Sequence, residues 1–127
     1  MFAGCRSLSS APMFNTSSAK DMGGMFYFCT SLSSAPLYDT SRVTGMNNMF
    51  ANCSTLTSVP LFDTSKVWYM DSMFYDCRYV QHGALALYQQ ASSQTNKPWS
   101  HEQTFRNCGT NTQTGSAELA QIPSYWK

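Results

Sequence analysis

The amino-acid sequence predicts an α/β solenoid: a stack of 24-residue coils with short parallel strands on one face, short α- or 3₁₀-helices on the other, and a C-terminal cap. Three observations support this prediction. The phrase Met-Phe-x-x-Cys recurs every 24 residues, other positions keep the same register, and the register is lost after about residue 80. One repeat of this length cannot bury its own apolar face, so successive repeats are expected to stack and share a core.

The repeated positions provide the candidate core. The phrase begins at Met1, Met25, Met49 and Met73, and an apolar residue follows three residues after each Cys. Equivalent positions recur near the C-terminus, after an insertion. The predicted core residues are Phe2, Phe26, Phe50, Phe74, Phe105, Cys5, Cys29, Cys53, Cys77, Cys108, Leu8, Leu32, Leu56 and Leu119. We interpret the cysteines as buried free thiols that act as small apolar side chains.

The segment around the repeated proline predicts the strands. Residues 35–38 and 59–62 alternate with the period of a β-strand, which places the leucine of each segment inward and the aromatic residue outward. Because proline donates no ladder hydrogen bond, each strand is expected to pair over only two or three residues. The outward aromatic residues are Phe14, Tyr38, Phe62 and, in a final degenerate strand, Tyr125.

The second half of each repeat predicts a short helix, since apolar residues in residues 43–53 recur at three- and four-residue spacing. Asn15, Asp39 and Asp63 are expected to cap this helix and to close the bend before it. The threonine after each of them points inward, so its hydroxyl is expected to bond backbone groups and not to form an ice-binding face. One such side chain per coil gives too few oxygens for Ca²⁺, and we predict no metal site.

The loss of register divides the chain into a repeat region, residues 1–80, and a degenerate repeat with a C-terminal cap, residues 81–127. Solenoids need atypical terminal units that shield their cores. The C-terminus has such a unit, whereas Met1 falls within a repeat. We therefore expect upstream repeats, or a second copy in a homo-oligomer, to cover the first coil.

The cap region is predicted to contain two helices and a last strand. Apolar residues at helical spacing predict a helix over residues 84–91, and a capping box at residues 100–103 predicts a second helix that carries the last Phe-x-x-Cys. After a Gly/Thr/Ser-rich insertion, residues 118–125 align with the strand segment of the repeats. Trp126 is expected to close the stack.

The spacing within a repeat is that of leucine-rich repeats, with Leu56, Val59 and Leu61 at positions 1, 4 and 6 and Thr64 at position 9. With the phrases Met-Phe-x-x-Cys and Phe-Asp-Thr-Ser-x-Val, residues 1 to about 80 resemble the BspA-like leucine-rich-repeat proteins of bacterial surfaces. The resemblance implies a leucine-rich-repeat-like fold, an extracellular or cell-surface location, and adhesion to host proteins or other cells.

Composition argues against several function classes. A net charge of +1, with 12% charged residues, lacks the basic footprint that nucleic-acid binding requires. The apolar runs are far shorter than the about 20 residues of a membrane-spanning helix, and no signal peptide is recognisable. The sequence carries no cofactor motif. We expect no nucleic-acid partner, no membrane insertion and no cofactor.

These observations predict a non-enzymatic recognition or adhesion module that binds a protein or glycan receptor on a cell surface. Exposed aromatic residues are the candidate contacts, because Trp and Tyr are enriched at binding hot spots. One candidate group is the outward aromatic column described above. The other group occupies positions where the repeat does not require an aromatic residue, and consists of Trp68, Tyr69, Tyr75 and Tyr79.

Two alternatives remain open. The first is a phage or prophage virion component of a tail or fibre, which recognises a host receptor; a shaft before the repeats favours this alternative, whereas further repeats with a secretion signal favour an adhesin. The second is a small hydrolase in which His101 activates Cys108 as a nucleophile. Because Cys108 fits the core register of the repeats, burial explains it without catalysis.

Overall fold

The computed structural model describes residues 2–127, so Met1, which begins the first repeated phrase, lies outside the described residues. The helices are α1, Ala84–Ser93, α2, Gln113–Ala120, and a 3₁₀-helix, Ser124–Trp126. The predicted α/β solenoid is wrong: the described residues contain isolated parallel bridges but no β-strand or sheet, and no helix forms within the repeats. The repeats consist of turns, bends and extended segments.

Backbone hydrogen bonds join equivalent positions of neighbouring repeats. The amide of each repeated Phe donates to the carbonyl of the residue before the next repeated Phe; these pairs are Phe2–Met25, Phe26–Met49, Phe50–Met73 and Phe74–Thr104, at 2.8 to 2.9 Å. At another part of the coil the direction is reversed, since Thr44 donates to Lys20 and Trp68 donates to Thr44, both at 2.8 Å. Successive repeats are therefore neighbours in space, although their local structure differs from the predicted one.

Left-handed backbone conformations explain why the repeats contain no helix. The residue before each repeated Cys has a positive φ, as in Asn52 (63°) and Asp76 (58°). The residue that lies two positions before a repeated Phe also has a positive φ, as in Asn48 (57°), which precedes Phe50. A right-handed helix cannot continue through such a residue, because side chains crowd the carbonyl in that conformation. The three- and four-residue spacing therefore corresponds to successive turns.

A three-residue turn replaces each predicted strand. The Tyr38 amide donates to the Pro36 carbonyl at 3.1 Å, which closes a γ-type turn centred on Leu37. The Phe62 amide makes the equivalent bond in the next coil, at 3.0 Å. Because this turn bends the backbone at the leucine, the side chains no longer alternate between two faces as they do in a strand.

The turn corrects the predicted orientation of the aromatic column. Tyr38 and Phe62 are buried, not exposed, and Phe14 is half-buried. Tyr125 is exposed, but it lies in the 3₁₀-helix and not in a strand. The residues that point outward here are Met13, Leu37 and Leu61, with 63%, 59% and 48% of their surface exposed.

The repeated phenylalanines form a stacked column through the core. The ring centroids of Phe26 and Phe50 lie 5.3 Å apart, and those of Phe50 and Phe74 lie 5.2 Å apart. Phe105 continues the column at 6.1 Å from Phe74. The repeated leucines pack beside it: Leu32 and Leu56 are buried, whereas Phe2, Leu8 and Leu119 are half-buried against the same core.

The cysteines of the inner coils are buried thiols that hydrogen-bond between coils. Cys53 Sγ donates to the Phe26 carbonyl at 3.1 Å, and Cys29 and Cys77 make the equivalent bond. Cys108 is also buried. Cys5 differs from the expected core position, because it lies exposed on the first coil with no disulfide.

The Asn/Asp-Thr-Ser segments close the bends. Asp39 Oδ1 accepts hydrogen bonds from the amide and the hydroxyl of Ser41, at 3.0 and 2.6 Å. These bonds lower the pKa of Asp39 below its usual value. The inward hydroxyl of Thr16 donates to the Asp39 carbonyl at 2.7 Å, which confirms the predicted bonding of the backbone. The predicted helix capping is wrong, since no helix follows.

Helix α1 confirms the helix predicted over residues 84–91 and covers the last regular coil. Leu87 and Ala91 are buried. Gln90 Nε2 donates to the Phe62 carbonyl at 2.6 Å, and Gln94 Nε2 donates to the Thr64 carbonyl at 2.8 Å. The hydroxyls of Thr16 and Thr40 donate to a carbonyl of the next coil, and the equivalent hydroxyl of Thr64 donates instead to Gln94 Oε1 at 2.8 Å.

The other predicted cap elements are wrong. Residues 100–108 form turns and not a helix, and Ser100 Oγ donates to Asp71 Oδ1 at 2.6 Å instead of capping. Helix α2 occupies part of the predicted insertion and of the predicted last strand. Trp126 nevertheless closes the stack as predicted, because it is buried and its carbonyl accepts from the Phe105 amide at 3.0 Å.

Candidate functional site

Two tryptophans meet on the surface of adjacent coils. The ring centroids of Trp68 and Trp99 lie 4.1 Å apart, with an angle of 67° between the ring planes. The Trp99 amide donates to the Trp68 carbonyl at 2.9 Å, so backbone bonding fixes their relative position. Trp68 is 37% exposed and Trp99 is 72% exposed. We call Trp68 and Trp99 the tryptophan pair.

Local structure makes Trp68 and Tyr69 project outward. Val67 and Met70 on either side of them are buried, which anchors the segment to the core. The amides of Trp68 and Tyr69 both donate to the Thr44 carbonyl, at 2.8 and 3.2 Å. Tyr69 is 44% exposed. The structure therefore places both of these predicted site residues at the surface.

A shallow cavity of about 220 Å³ opens beside Trp68. It is lined by Thr44, Ser65, Lys66, Val67, Trp68 and Asn96. Val67 is buried, whereas Ser65, Lys66 and Asn96 are exposed. The side chains of Lys66 and Asn96 make no hydrogen bond or ion pair within residues 2–127, whereas Ser65 lies against the Asp63 carboxylate and lowers the pKa of Asp63 through its hydroxyl and its amide. The cavity thus combines an apolar aromatic wall with polar groups that are available to a ligand.

The other predicted site residues lie elsewhere. Tyr75 is half-buried, and Tyr79 is 50% exposed. Tyr79 lines a separate depression with Thr55 and Gln81. No aromatic contact joins Tyr75 or Tyr79 to Trp68 in the part of the chain that the structure describes. The predicted group therefore does not come together as one cluster.

Trp99 is the site residue that the sequence reasoning missed. After α1 the register resumes with an offset of 31 residues, as in the bond from the Glu102 amide to Asp71 Oδ1. The same offset aligns Trp99 with Trp68. Phe105 and Cys108 lie 31 residues after Phe74 and Cys77, so the sequence already shows this offset. Applying the same offset to Trp68 would have identified Trp99 as its equivalent.

A second aromatic group, formed by the exposed Tyr27 and the half-buried Phe28, lies on the first two coils. The rings of Tyr27 and Phe28 meet edge to face at 4.7 Å, and the Arg6 guanidinium lies 5.8 Å from the Phe28 ring centroid. Phe28 has a φ of 59°, whereas Gly, Asn or Asp occupies the equivalent position in the other coils. The sequence gives no periodic signal for this group, because the other coils lack it.

The surroundings of Cys108 and His101 bear on the hydrolase alternative. Burial, with a smaller contribution from nearby Glu118, raises the pKa of the Cys108 thiol far above its usual value. The His101 ring stacks on Trp126 at 4.0 Å, and its Nδ1 is buried without a hydrogen-bond partner among the described residues. These surroundings favour the thiol over the reactive thiolate.

Residues 2–127 contain neither a metal-binding cluster nor a membrane-spanning helix. Among residues 2–127, no group of three or more His, Cys, Asp or Glu side chains is arranged to hold a metal ion. In the same part of the chain, no helix has the length and apolar character to span a bilayer.

Comparison with known proteins places most of the chain in a described family. A family model described as "Mycoplasma protein of unknown function, DUF285" matches residues 1–116. No curated protein and no solved structure matches the chain.

Proposed function

The chain belongs to the DUF285 family, and from this membership together with the tryptophan pair we propose that it is a non-enzymatic recognition module of the BspA-like type. It binds a receptor on a cell surface and acts outside the cell in which it is made. The observation that carries the proposal is the exposure of Trp99, 72% of whose surface faces solvent.

Folding does not require tryptophan at these two positions. The two preceding coils carry Lys20 and Thr44 in the position of Trp68 and make the same backbone ladder. The indole of Trp99 contributes little to the core, since 72% of the residue's surface remains in water. Tryptophan is, however, the residue type most enriched at binding hot spots. Binding of a ligand therefore explains the presence of the two tryptophans, which the stability of the fold does not explain.

The coils hold the pair rigidly. Trp68 is fixed through the Thr44 carbonyl on one side and through the amides of Trp99 and Ser100 on the other. A binding site that is already ordered in the free protein loses little conformational entropy when the ligand binds. The stacked repeats thus serve as a scaffold that presents aromatic side chains in a fixed geometry.

Binding to intact cells tests the proposal. The labelled chain is titrated onto cultured epithelial cells and, to cover the virion alternative, onto bacterial cells. We expect saturable binding to one of them and a loss of about tenfold in affinity for Trp99→Ala, because an aromatic anchor is removed. Tyr79→Ala serves as the matched control, since Tyr79 is exposed but lines a different depression.

Circular dichroism and urea unfolding establish that both variants keep the fold. Absence of saturable binding to either cell type, or equal affinities for the wild-type chain and Trp99→Ala, contradicts the proposal.

A further inference from the structure

We propose that the ligand of the tryptophan pair is a glycan, held in the cavity beside Trp68 with one sugar ring against the indoles. This inference rests on the proposed function and specifies the ligand class of the same site. It is carried by the size of the cavity, the chemistry of its lining and the angle between the two rings.

The size of the cavity favours a small ligand group over a protein surface. Its volume is about 220 Å³. A stable protein–protein interface buries roughly 800 Å² on each partner, usually across a broad and nearly flat patch. Tyr69 adjoins Trp68 at the surface, but the exposed Leu37 and Leu61 do not extend this group, since they line a different depression with Gln90. A sugar residue at the end of a glycan matches the cavity better than a protein face does.

The lining has the chemistry that a sugar requires. Ligand sites combine apolar walls with a few polar groups that fix orientation. Here Trp68 and Val67 supply the apolar surface, while Ser65 and Asn96 supply a neutral hydroxyl and a neutral amide. The amide donates and accepts hydrogen bonds, as does the hydroxyl, so both match the hydroxyl groups of a sugar. Lys66 is the one charged residue of the lining and adds a further donor.

The angle between the indoles gives the pair two kinds of surface. At 67° the edge of one ring meets the face of the other, which leaves a corner and not a continuous apolar plane. The C–H groups on one face of a pyranose carry a partial positive charge and pack on the electron-rich face of an indole. The hydroxyls at the rim of the sugar then point toward Ser65, Lys66 and Asn96.

An array of immobilised oligosaccharides of defined structure tests the ligand class directly. The full chain is applied in its wild-type form and as Trp99→Ala, Asn96→Ala and Tyr79→Ala. We expect retention on glycans with a shared terminal sugar, a loss of about tenfold for Trp99→Ala, and a smaller loss for Asn96→Ala. Tyr79→Ala should bind as the wild-type chain does. Failure to retain the wild-type chain on any glycan, or retention unchanged by Trp99→Ala, overturns the inference.

Treatment of the cells separates this inference from the proposed function. Periodate cleaves the vicinal diols of surface glycans, whereas protease removes surface protein. If Trp99-dependent binding to cells is lost after periodate, the receptor group is a glycan. If that binding withstands periodate and is lost after protease, the glycan inference fails while the recognition function stands. If no Trp99-dependent binding exists before treatment, both fail.

Discussion

At Phe28 the chain tolerates a backbone conformation that suits its side chain poorly. A left-handed conformation costs a residue with a Cβ about 1–2 kcal/mol, and bulky residues rarely adopt it. The equivalent positions in other coils hold Gly4, Asn52, Asp76 and Asn107, which adopt this conformation more readily. Strained residues of this kind are concentrated at functional sites. Phe28 therefore marks a position where sequence and backbone preference disagree.

Replacing Phe28 by asparagine should stabilise the protein. We expect Phe28→Asn to raise the free energy of unfolding by about 0.5–1 kcal/mol, because relief of the strain exceeds the loss of the contacts with Tyr27 and Arg6. Urea unfolding measures the change. Tyr27→Ala removes the same aromatic contact without relieving strain and should not stabilise. A lower midpoint for Phe28→Asn than for the wild-type chain contradicts this explanation.

The buried thiols couple stability to pH. Burial raises the pKa of Cys53 from 9.0 to about 12, and it raises the pKa of Cys77 well above the same starting value. Because the folded protein holds these protons more tightly than the unfolded chain, their stabilising contribution is complete below about pH 9. It is lost progressively as the pH rises from about 9 toward 12.

Alkaline unfolding and alkylation test this linkage. We expect the urea midpoint to fall above about pH 9, and to fall less steeply in Cys53→Ala, which lacks one of the buried thiols. In the native protein at neutral pH, iodoacetamide should modify the exposed Cys5 and leave the four buried cysteines unmodified. Rapid modification of Cys108 in the folded chain would contradict its burial. Such a result would favour the hydrolase alternative.

At the scale of elements, helix α2 depends on a glycine for its position. A Cβ built on Gly115 would overlap the Val80 carbonyl oxygen and would lie 2.7 Å from Gly109 Cα. Gly115 is buried, and its amide donates to the N-cap hydroxyl of Thr112 at 3.0 Å. Thr112 Oγ1 in turn donates to the Val80 carbonyl at 2.7 Å. The glycine allows the first turn of the helix to pack directly on the backbone of the last coil.

Alanine at position 115 should therefore destabilise the protein although alanine favours helices. We expect Gly115→Ala to lower the free energy of unfolding by about 1–3 kcal/mol, because the backbone must move to relieve the clash. The control is Thr114→Ala in the same helix, where the exposed side chain predicts a change within about 0.5 kcal/mol. Thermal or urea unfolding measures both variants. A gain in stability for Gly115→Ala would show that α2 does not pack on Val80 as described.

Helix α1 shows which elements local sequence determines. Its apolar residues recur at helical spacing, so the helix was predictable without knowledge of the fold. The predicted strands failed because their alternating pattern extends over only four residues, and the Pro36-to-Tyr38 turn reverses the orientation of the side chains. A short alternating segment does not distinguish an extended strand from a turn of this kind.

At the scale of the whole molecule, the last residues replace a coil. The Trp126 carbonyl accepts a hydrogen bond from the Phe105 amide. In the inner coils the next coil supplies this acceptor, as the Met73 carbonyl does for the Phe50 amide. The ring centroid of Trp126 lies 6.3 Å from that of Phe105 and 5.4 Å from that of Tyr88. In a repeat protein each coil is stabilised chiefly by its neighbours, so an uncovered end exposes apolar surface.

Removal of residues 118–127 should promote self-association. The truncation exposes Phe105 and Cys108, which are buried in the complete chain. We expect the mass measured by light scattering to increase with concentration over a tenfold range. Trp126→Ala should show a weaker form of the same behaviour, whereas Tyr125→Ala should keep the wild-type mass because Tyr125 is already exposed. A truncated chain with the wild-type mass at every concentration would show that these residues are not a cap.

The sequence by itself determined the period of the repeat, most of the core and the position of α1. The recurrence of Phe26, Phe50 and Phe74 predicts the period and the core, because equivalent residues of a stacked repeat occupy equivalent environments. It also indicated Trp68 and Tyr69 as surface residues, since they depart from the pattern. The exposure of Cys5 is an exception to the predicted burial of the repeated cysteines.

Only the tertiary structure decided how each coil turns and which surface residues meet. The left-handed conformations at positions such as Asn48 and Asn52 are held by hydrogen bonds between coils, with the Asn52 amide donating to the Tyr75 carbonyl at 2.7 Å. These bonds form between residues distant in sequence, so the propensities within one coil do not reveal them. The contact of Trp68 with Trp99 likewise depends on where the chain rejoins the stack after α1.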